Sequence, residues 1–136
     1  MMAQHPQLPY YISDQKALLA LDTIQALLHT SYWAADYSRA KIEKSIQNSL
    51  CFGIYHETGQ VGFARVISDY ATFSWICDVI IDHRHRGQGL GKWFVSIITS
   101  YPQLTGIRML LGTRDAHELY AQFGFENKEV MFRKSM

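Results

Sequence analysis

Thirteen residues, Asp82 to Phe94 (DHRHRGQGLGKWF), hold the densest run of chemically active side chains in the protein. Arg84, Arg86 and Lys92 stand there with His83 and His85, and glycines fall at positions 87, 89 and 91. Glycine permits dihedrals closed to other residues and lets backbone N–H groups approach an anion. Where such a loop opens a helix, the free N–H groups and the dipole of the first turn favour negative charge. A phosphate or pyrophosphate suits this pattern. Two nucleotide motifs do not. A Walker A loop ending at Gly91-Lys92 would need Gly in place of Arg86 and Ser or Thr in place of Trp93, so magnesium would lack its hydroxyl ligand. A GxGxxG fingerprint started at Gly87 meets Lys92, started at Gly89 meets Phe94, and no acid follows about 20 residues on to hold a ribose. Taken alone, the loop is equally well read as a glycine-rich turn with solvated arginines.

Other reactive side chains point to less. Cys51 and Cys77 sit in strand-like runs without CxxC or Cys/His ligand spacing, so they are expected to be buried thiols. His83 and His85 have no further ligand at metal spacing, and no metal is expected. His29, His56 and His117 have no recognisable partners and are read as surface or packing residues.

Composition narrows the class. With 13 Lys+Arg against 12 Asp+Glu in 136 residues, the formal charge of +1 gives no overall field toward nucleic acid or anionic lipid. A hydrophobic content of 48% suits one globular domain, 1–136. The first residues lack the apolar core of a signal peptide, and no apolar run reaches the roughly 18 residues that would span a bilayer. A cytoplasmic protein is expected.

The elements that must position the loop follow from periodicity. PYYIS, Pro9 to Ser13, reads as a strand. A helix carries Ile24, Leu27 and Leu28 on one face with Asp22 as its cap, and a second, capped by Ser38, carries Ile42 and Ile46. CFGIYH and VGFARVIS form a hairpin about Glu57–Gln60. TFSWICDVIID is nearly all apolar, as for a central strand covered on both faces. Leu90, Trp93, Phe94, Ile97, Ile98 and Tyr101 recur at helical spacing over Gly89 to Tyr101, with Pro102 as the stop. IRMLLGT is a further strand. Asp115 and Glu118 have capping-box spacing for a short helix to about Phe123, and KEVMFRK closes the chain as a strand. The reading is an α/β (α+β) fold: a mixed central sheet of six to seven strands flanked by four helices.

Arg86-Gly87-Gln88-Gly89-Leu90-Gly91 resembles the R/Q-x-x-G-x-G/A motif of the GNAT superfamily of N-acetyltransferases, which use acetyl-CoA. DVIID before it resembles that family's splayed fourth strand. AHELYAQFGF after it resembles an A-x-x-x-Y-x-x-x-GF segment, with Ala116, Tyr120, Gly124 and Phe125 in register. The three landmarks span about half the chain. The resemblance implies that backbone N–H groups from Gln88 to Lys92 (Gln88, Gly89, Leu90, Gly91, Lys92), with Gly87 and Arg86, hold the CoA pyrophosphate. It also implies that the backbone of Val79, Ile80 and Ile81 pairs with the pantetheine arm as an added strand. Tyr120 would give a proton to the departing thiolate, and Asp78 would take the ammonium proton. Thr113 stands where the family often has an asparagine that contacts the cofactor, and offers a hydroxyl but no amide.

Tyr32 and Trp33, with Tyr37 and Asp36, are candidates to receive a cationic amine, the alternative being that they anchor a helix junction, a common use of Trp and Tyr. Tyr120 and Asp78 keep structural alternatives as well: a core phenol, and a carboxylate paired to a backbone or a basic side chain. The expected activity is acetyl transfer from acetyl-CoA to a primary amine by direct attack, the acceptor being a small molecule or a peptide. A CoA-binding sensor without turnover is the rival from another class. A nucleic-acid-binding domain using His83 to Arg86 is a weaker one; no nucleic-acid or membrane partner is expected. Oligomeric state is open, a homodimer among the options.

Overall fold

A computed structural model describes residues 1–135. Six strands lie side by side in chain order: β1 (Met2–Gln4), β2 (Tyr11–Ser13), β3 (Leu50–His56), β4 (Gly59–Ser68), β5 (Phe73–Ile81) and β6 (Arg108–Leu111). Neighbours from β1 to β5 are antiparallel, and β5–β6 is parallel. The parallel step requires a crossover, which α3 (Leu90–Thr99) supplies. α1 (Leu21–His29) and α2 (Arg39–Gln47) precede the β3–β4 hairpin, and α4 (His117–Ala121) follows β6.

The sheet is covered on both sides, and the two cores are separate. α3 packs Leu90, Phe94 and Ile98 onto Ile12, Phe52, Ile54, Val66 and Ile76. α1 and α2 bring Ile24, Leu27, Leu28 and Ile42 onto Cys51, Phe63 and Ile80. Ile76 and Ile80 are four residues apart on one strand, yet they belong to opposite cores. The cause is a β-bulge. Phe63 faces Ile80 and Arg65 faces Cys77, so Asp78 and Val79 together stand opposite Ala64. Asp78 takes the extra step at φ 55, a left-handed conformation that aspartate tolerates better than most residues. Side-chain parity reverses there.

β5 is also half open. Its pairing with β6 runs only from Phe73 to Ile76, so the backbone from Cys77 to Ile81 keeps one unpaired edge. TFSWICDVIID is thus a central strand at its start and an edge strand at its end.

Some local expectations are corrected. α1 starts one residue ahead of Asp22, with Ala20 at the cap position and no side-chain cap, so Asp22 lies in the first turn. Ser38 does cap α2, accepting from Lys41 N–H at 3.1 Å. The Asp115/Glu118 capping box does not form, since Ala116 occupies the cap of α4. KEVMFRK is not a strand; residues 125–135 have no regular structure, and Val130, Met131 and Phe132 are exposed. β1, too short to leave a periodic signal, is an addition. No helix among the described residues is long and apolar enough to cross a membrane.

Candidate functional site

The glycine loop runs between the open end of β5 and the start of α3. Asp82 accepts from Arg84 N–H at 3.0 Å and pairs with the Arg84 guanidinium at 2.7 Å. The hydrogen bond from that guanidinium, helped by the backbone bond, holds the Asp82 carboxyl well below the usual carboxylate range despite the opposing effect of burial. Arg84 is thereby committed to its own turn. His85 Nδ1 lies 2.8 Å from the Tyr10 hydroxyl, and Gln88 Nε2 donates to the same hydroxyl and to His85 O, each at 3.0 Å. His83 remains solvent-facing. These bonds stitch the front of the loop to the residue preceding β2.

Gly87 and Gly89 take φ of 83° and 81°, the left-handed region. Gly89 is the N-cap of α3 and supplies no side chain, so the first-turn N–H groups of the helix have no capping partner. Arg86 folds back, its Nε donating to Ile81 O at 2.8 Å, and it lines the same groove as Gly87, Gly89 and Leu90. An anion set here would meet oriented N–H dipoles, with the Arg86 cation on the same loop. The loop opens onto a groove of about 1120 Å³ that also takes in the open edge of β5, the β6–α4 connection and the α1–α2 link.

Tyr120, on α4, lines this groove half-buried. Burial, then the neighbouring Tyr32 and Asp115, push its phenol above the ordinary value, so it is protonated at neutral pH. Its hydroxyl makes no hydrogen bond among the described residues, which separates it from a satisfied core tyrosine. Thr113 lines the same wall, but its Oγ1 accepts from Ala116 N–H at 3.0 Å and shapes the entry to α4.

Asp78 is 5% exposed and fully engaged. Arg65 Nε donates to Oδ2 at 2.7 Å, and Trp33 Nε1 donates to Oδ1 at 2.8 Å. Asp78 is thus a carboxylate paired to a basic side chain. Arg65 is further fixed by Ser49, whose Oγ accepts from Nη1 at 2.9 Å. Sequence reasoning missed Arg65 altogether. A signal existed, since a lone cation in the apolar run VGFARVIS implies a buried counter-charge.

Tyr32 and Trp33 both reach the groove, edge-to-face at 5.0 Å. Arg114 lies over the Tyr32 ring at 3.7 Å, and its N–H donates to the Tyr32 hydroxyl at 3.2 Å. A strap from Asp78 through Trp33 and Tyr32 to Arg114 therefore spans the groove between β5 and the β6–α4 connection. Cys51 is buried as expected, whereas Cys77 is only partly buried and lines the groove. Burial pushes Cys51 up to about 11 and Cys77 up to about 12, so both are neutral thiols and poor nucleophiles.

The architecture has relatives. A family profile described as "Acetyltransferase (GNAT) domain" matches residues 47–127. A Gibberella zeae protein named as an acetyltransferase is 31% identical over 137 residues, covering 83% of this chain and 76% of the relative. A crystal structure from Xanthomonas campestris pv. campestris, assigned to the GNAT family, superposes with a TM-score of 0.87 at 39% identity over 93% of both chains. N-acetylglutamate synthase from Neisseria gonorrhoeae, solved with coenzyme A and N-acetyl-glutamate, shares the fold at a TM-score of 0.71. Its identity is 18%, and the match covers 90% of this chain and 30% of that one. Glycine loop, splayed strand and matched relatives together place the chain in the GNAT acetyltransferase family.

Proposed function

We propose that this acetyltransferase moves the acetyl group of acetyl-CoA directly onto a primary amine, without an acyl-enzyme. The observation that carries the reading is the open edge of β5 beyond Ile76, which leads into the left-handed glycines and uncapped first turn of α3. The backbone of Val79, Ile80 and Ile81 lies along the pantetheine amides as an added strand would use it, with Ile81 O shared with the Arg86 Nε it already accepts from. Gly87 and the N–H groups from Gln88 to Lys92, with Arg86, receive the pyrophosphate. Thr113 borders the arm through its hydroxyl. The amine nitrogen bonds to the acetyl carbon as the C–S bond breaks, and Tyr120 supplies the proton the thiolate takes.

Asp78 takes a different part from that of a free base. Both oxygens already accept hydrogen bonds, one from a guanidinium, which weakens any claim on the ammonium proton. It positions Arg65 and Trp33, and water in the groove carries the amine's proton away. The two neutral thiols support direct attack.

The test is thiol release from acetyl-CoA across an amine panel. Tyr120→Phe should lower kcat about 10²- to 10⁴-fold, the usual contribution of a positioned acid, while CoA affinity by calorimetry stays within a factor of two or so of the parent. Unchanged turnover would remove Tyr120 from the reaction. CoA binding without thiol release from any amine would favour the sensor.

A further inference from the structure

The acceptor end of the groove contains a cation with an unused valence. Of the charged groups there, Asp78 is consumed by Arg65 and Trp33, Arg114 is stacked on Tyr32, and Asp36 and Asp115 are exposed to water. Arg65 differs. Its side chain is only 12% exposed, Nε and Nη1 are pinned by Asp78 and Ser49, and Nη2 has no partner among the described residues. Two anchors fix the plane of the guanidinium, so the third nitrogen has a set direction before any ligand arrives. Lys41 lies 4.4 Å over the Tyr37 ring at the same end and forms no ion pair among the described residues, which adds positive potential at the rim.

We infer that the acceptor amine also carries a carboxylate, as an amino acid does, and that Arg65 is the residue that reads it. The inference rests on the acetyl-transfer reading above and names the substrate class of that site. Asp78 offsets the charge of Arg65 at a distance, so selection comes at close range, where the directed Nη2 donor makes a charge-assisted hydrogen bond to a carboxylate that is stronger than its bond to a carboxamide oxygen. A site built around one such donor discriminates strongly against an isostere that cannot accept from it in the same way. A second ammonium placed beside Arg65 would meet a like charge whose own counter-ion, Asp78, is already engaged, and the acids left to answer it, Asp36 and Asp115, stand exposed at the rim. That argues against polyamines.

The experiment compares amino acids with their own carboxamides in the thiol-release assay, with putrescine and O-phosphoethanolamine as further probes. The expected result is a kcat/KM at least about tenfold higher for the acid than for its amide, carried mainly by KM. Arg65→Lys should remove most of that preference while CoA affinity is unchanged. Should Arg65→Lys fold poorly, the pair Arg65→Gln with Asp78→Asn leaves no unpaired buried charge and should lose the preference equally. Equal use of amide and acid, preference for putrescine, preference for O-phosphoethanolamine, or selectivity intact in the variants overturns the assignment. If no amine releases thiol, the acetyl-transfer reading has failed instead. Titration of the same acid and amide pairs into CoA-loaded protein then decides Arg65: tighter binding of the acid supports its role, and equal binding ends it.

Discussion

At Asp78 one side chain joins three elements: β5 holds it, β4 sends Arg65 to it, and the α1–α2 link sends Trp33. Removing one partner of a buried ion pair typically costs about 3–5 kcal/mol, because the survivor is left charged and desolvated. Asp78→Asn should therefore lower the urea midpoint markedly, and the Arg65→Gln, Asp78→Asn pair should recover part of the loss. If Asp78 positions rather than abstracts, the acid limb of the kcat/KM profile in Asp78→Asn keeps its midpoint while its height falls. Disappearance of that limb would restore the base assignment. Tyr101 supplies a separate pH effect. Burial and its 2.6 Å bond to Asp14 push the phenol up to about 12 from the usual 10. The folded state thus keeps its proton where the unfolded chain releases it, so the contribution is complete below pH 10 and is lost as pH rises toward about 12. Tyr101→Phe should flatten that alkaline fall in stability, read by denaturant midpoints across the range.

At the level of elements, the loop and α3 were legible because their signals are local. A helix period, three glycines and a proline stop lie within about one turn of what they control. Gly89 allows a clean test. A Cβ there would meet nothing within 4 Å, so only the left-handed backbone opposes substitution. Gly89→Val should cost at least the roughly 1–2 kcal/mol of a left-handed L-residue and weaken CoA binding, whereas Gly91→Ala, inside α3 with contacts no nearer than 3.8 Å, should hold stability or raise it by up to about 1 kcal/mol. Thermal melts with and without CoA separate the two effects. The Asp78–Arg65 pair was not legible, because its members are 13 positions apart and meet only through a hairpin register. His85 posed the same problem: its partner Tyr10 is 75 residues away. The capping box failed for a different reason, in that spacing alone does not decide which residue enters the helix first.

At the level of the whole molecule, two cores on opposite faces carry the fold, and residues 126–135 add nothing to either. Val130 is 63% and Met131 101% exposed. The alternation in KEVMFRK suits a strand, but pattern alone does not supply a paired neighbour. Ending the chain after Asn127 should shift the unfolding free energy by no more than about 0.5 kcal/mol; a larger loss in urea unfolding would show that the segment pairs after all. The order of elements and the three-layer build were readable because hydrophobic period and turn chemistry agree along nearly all of the chain. The bulge escaped notice, since aspartate in a left-handed step looks like any aspartate in a strand. Its consequence is a frameshift of faces: one inserted residue reassigns every later side chain of β5 to the other side of the sheet. Deleting a single residue there would leave composition and length almost untouched, yet it would send Ile80 into the wrong core and turn the groove-facing side chains of the last stretch of β5 away. The site therefore depends on a count of residues as much as on their kinds.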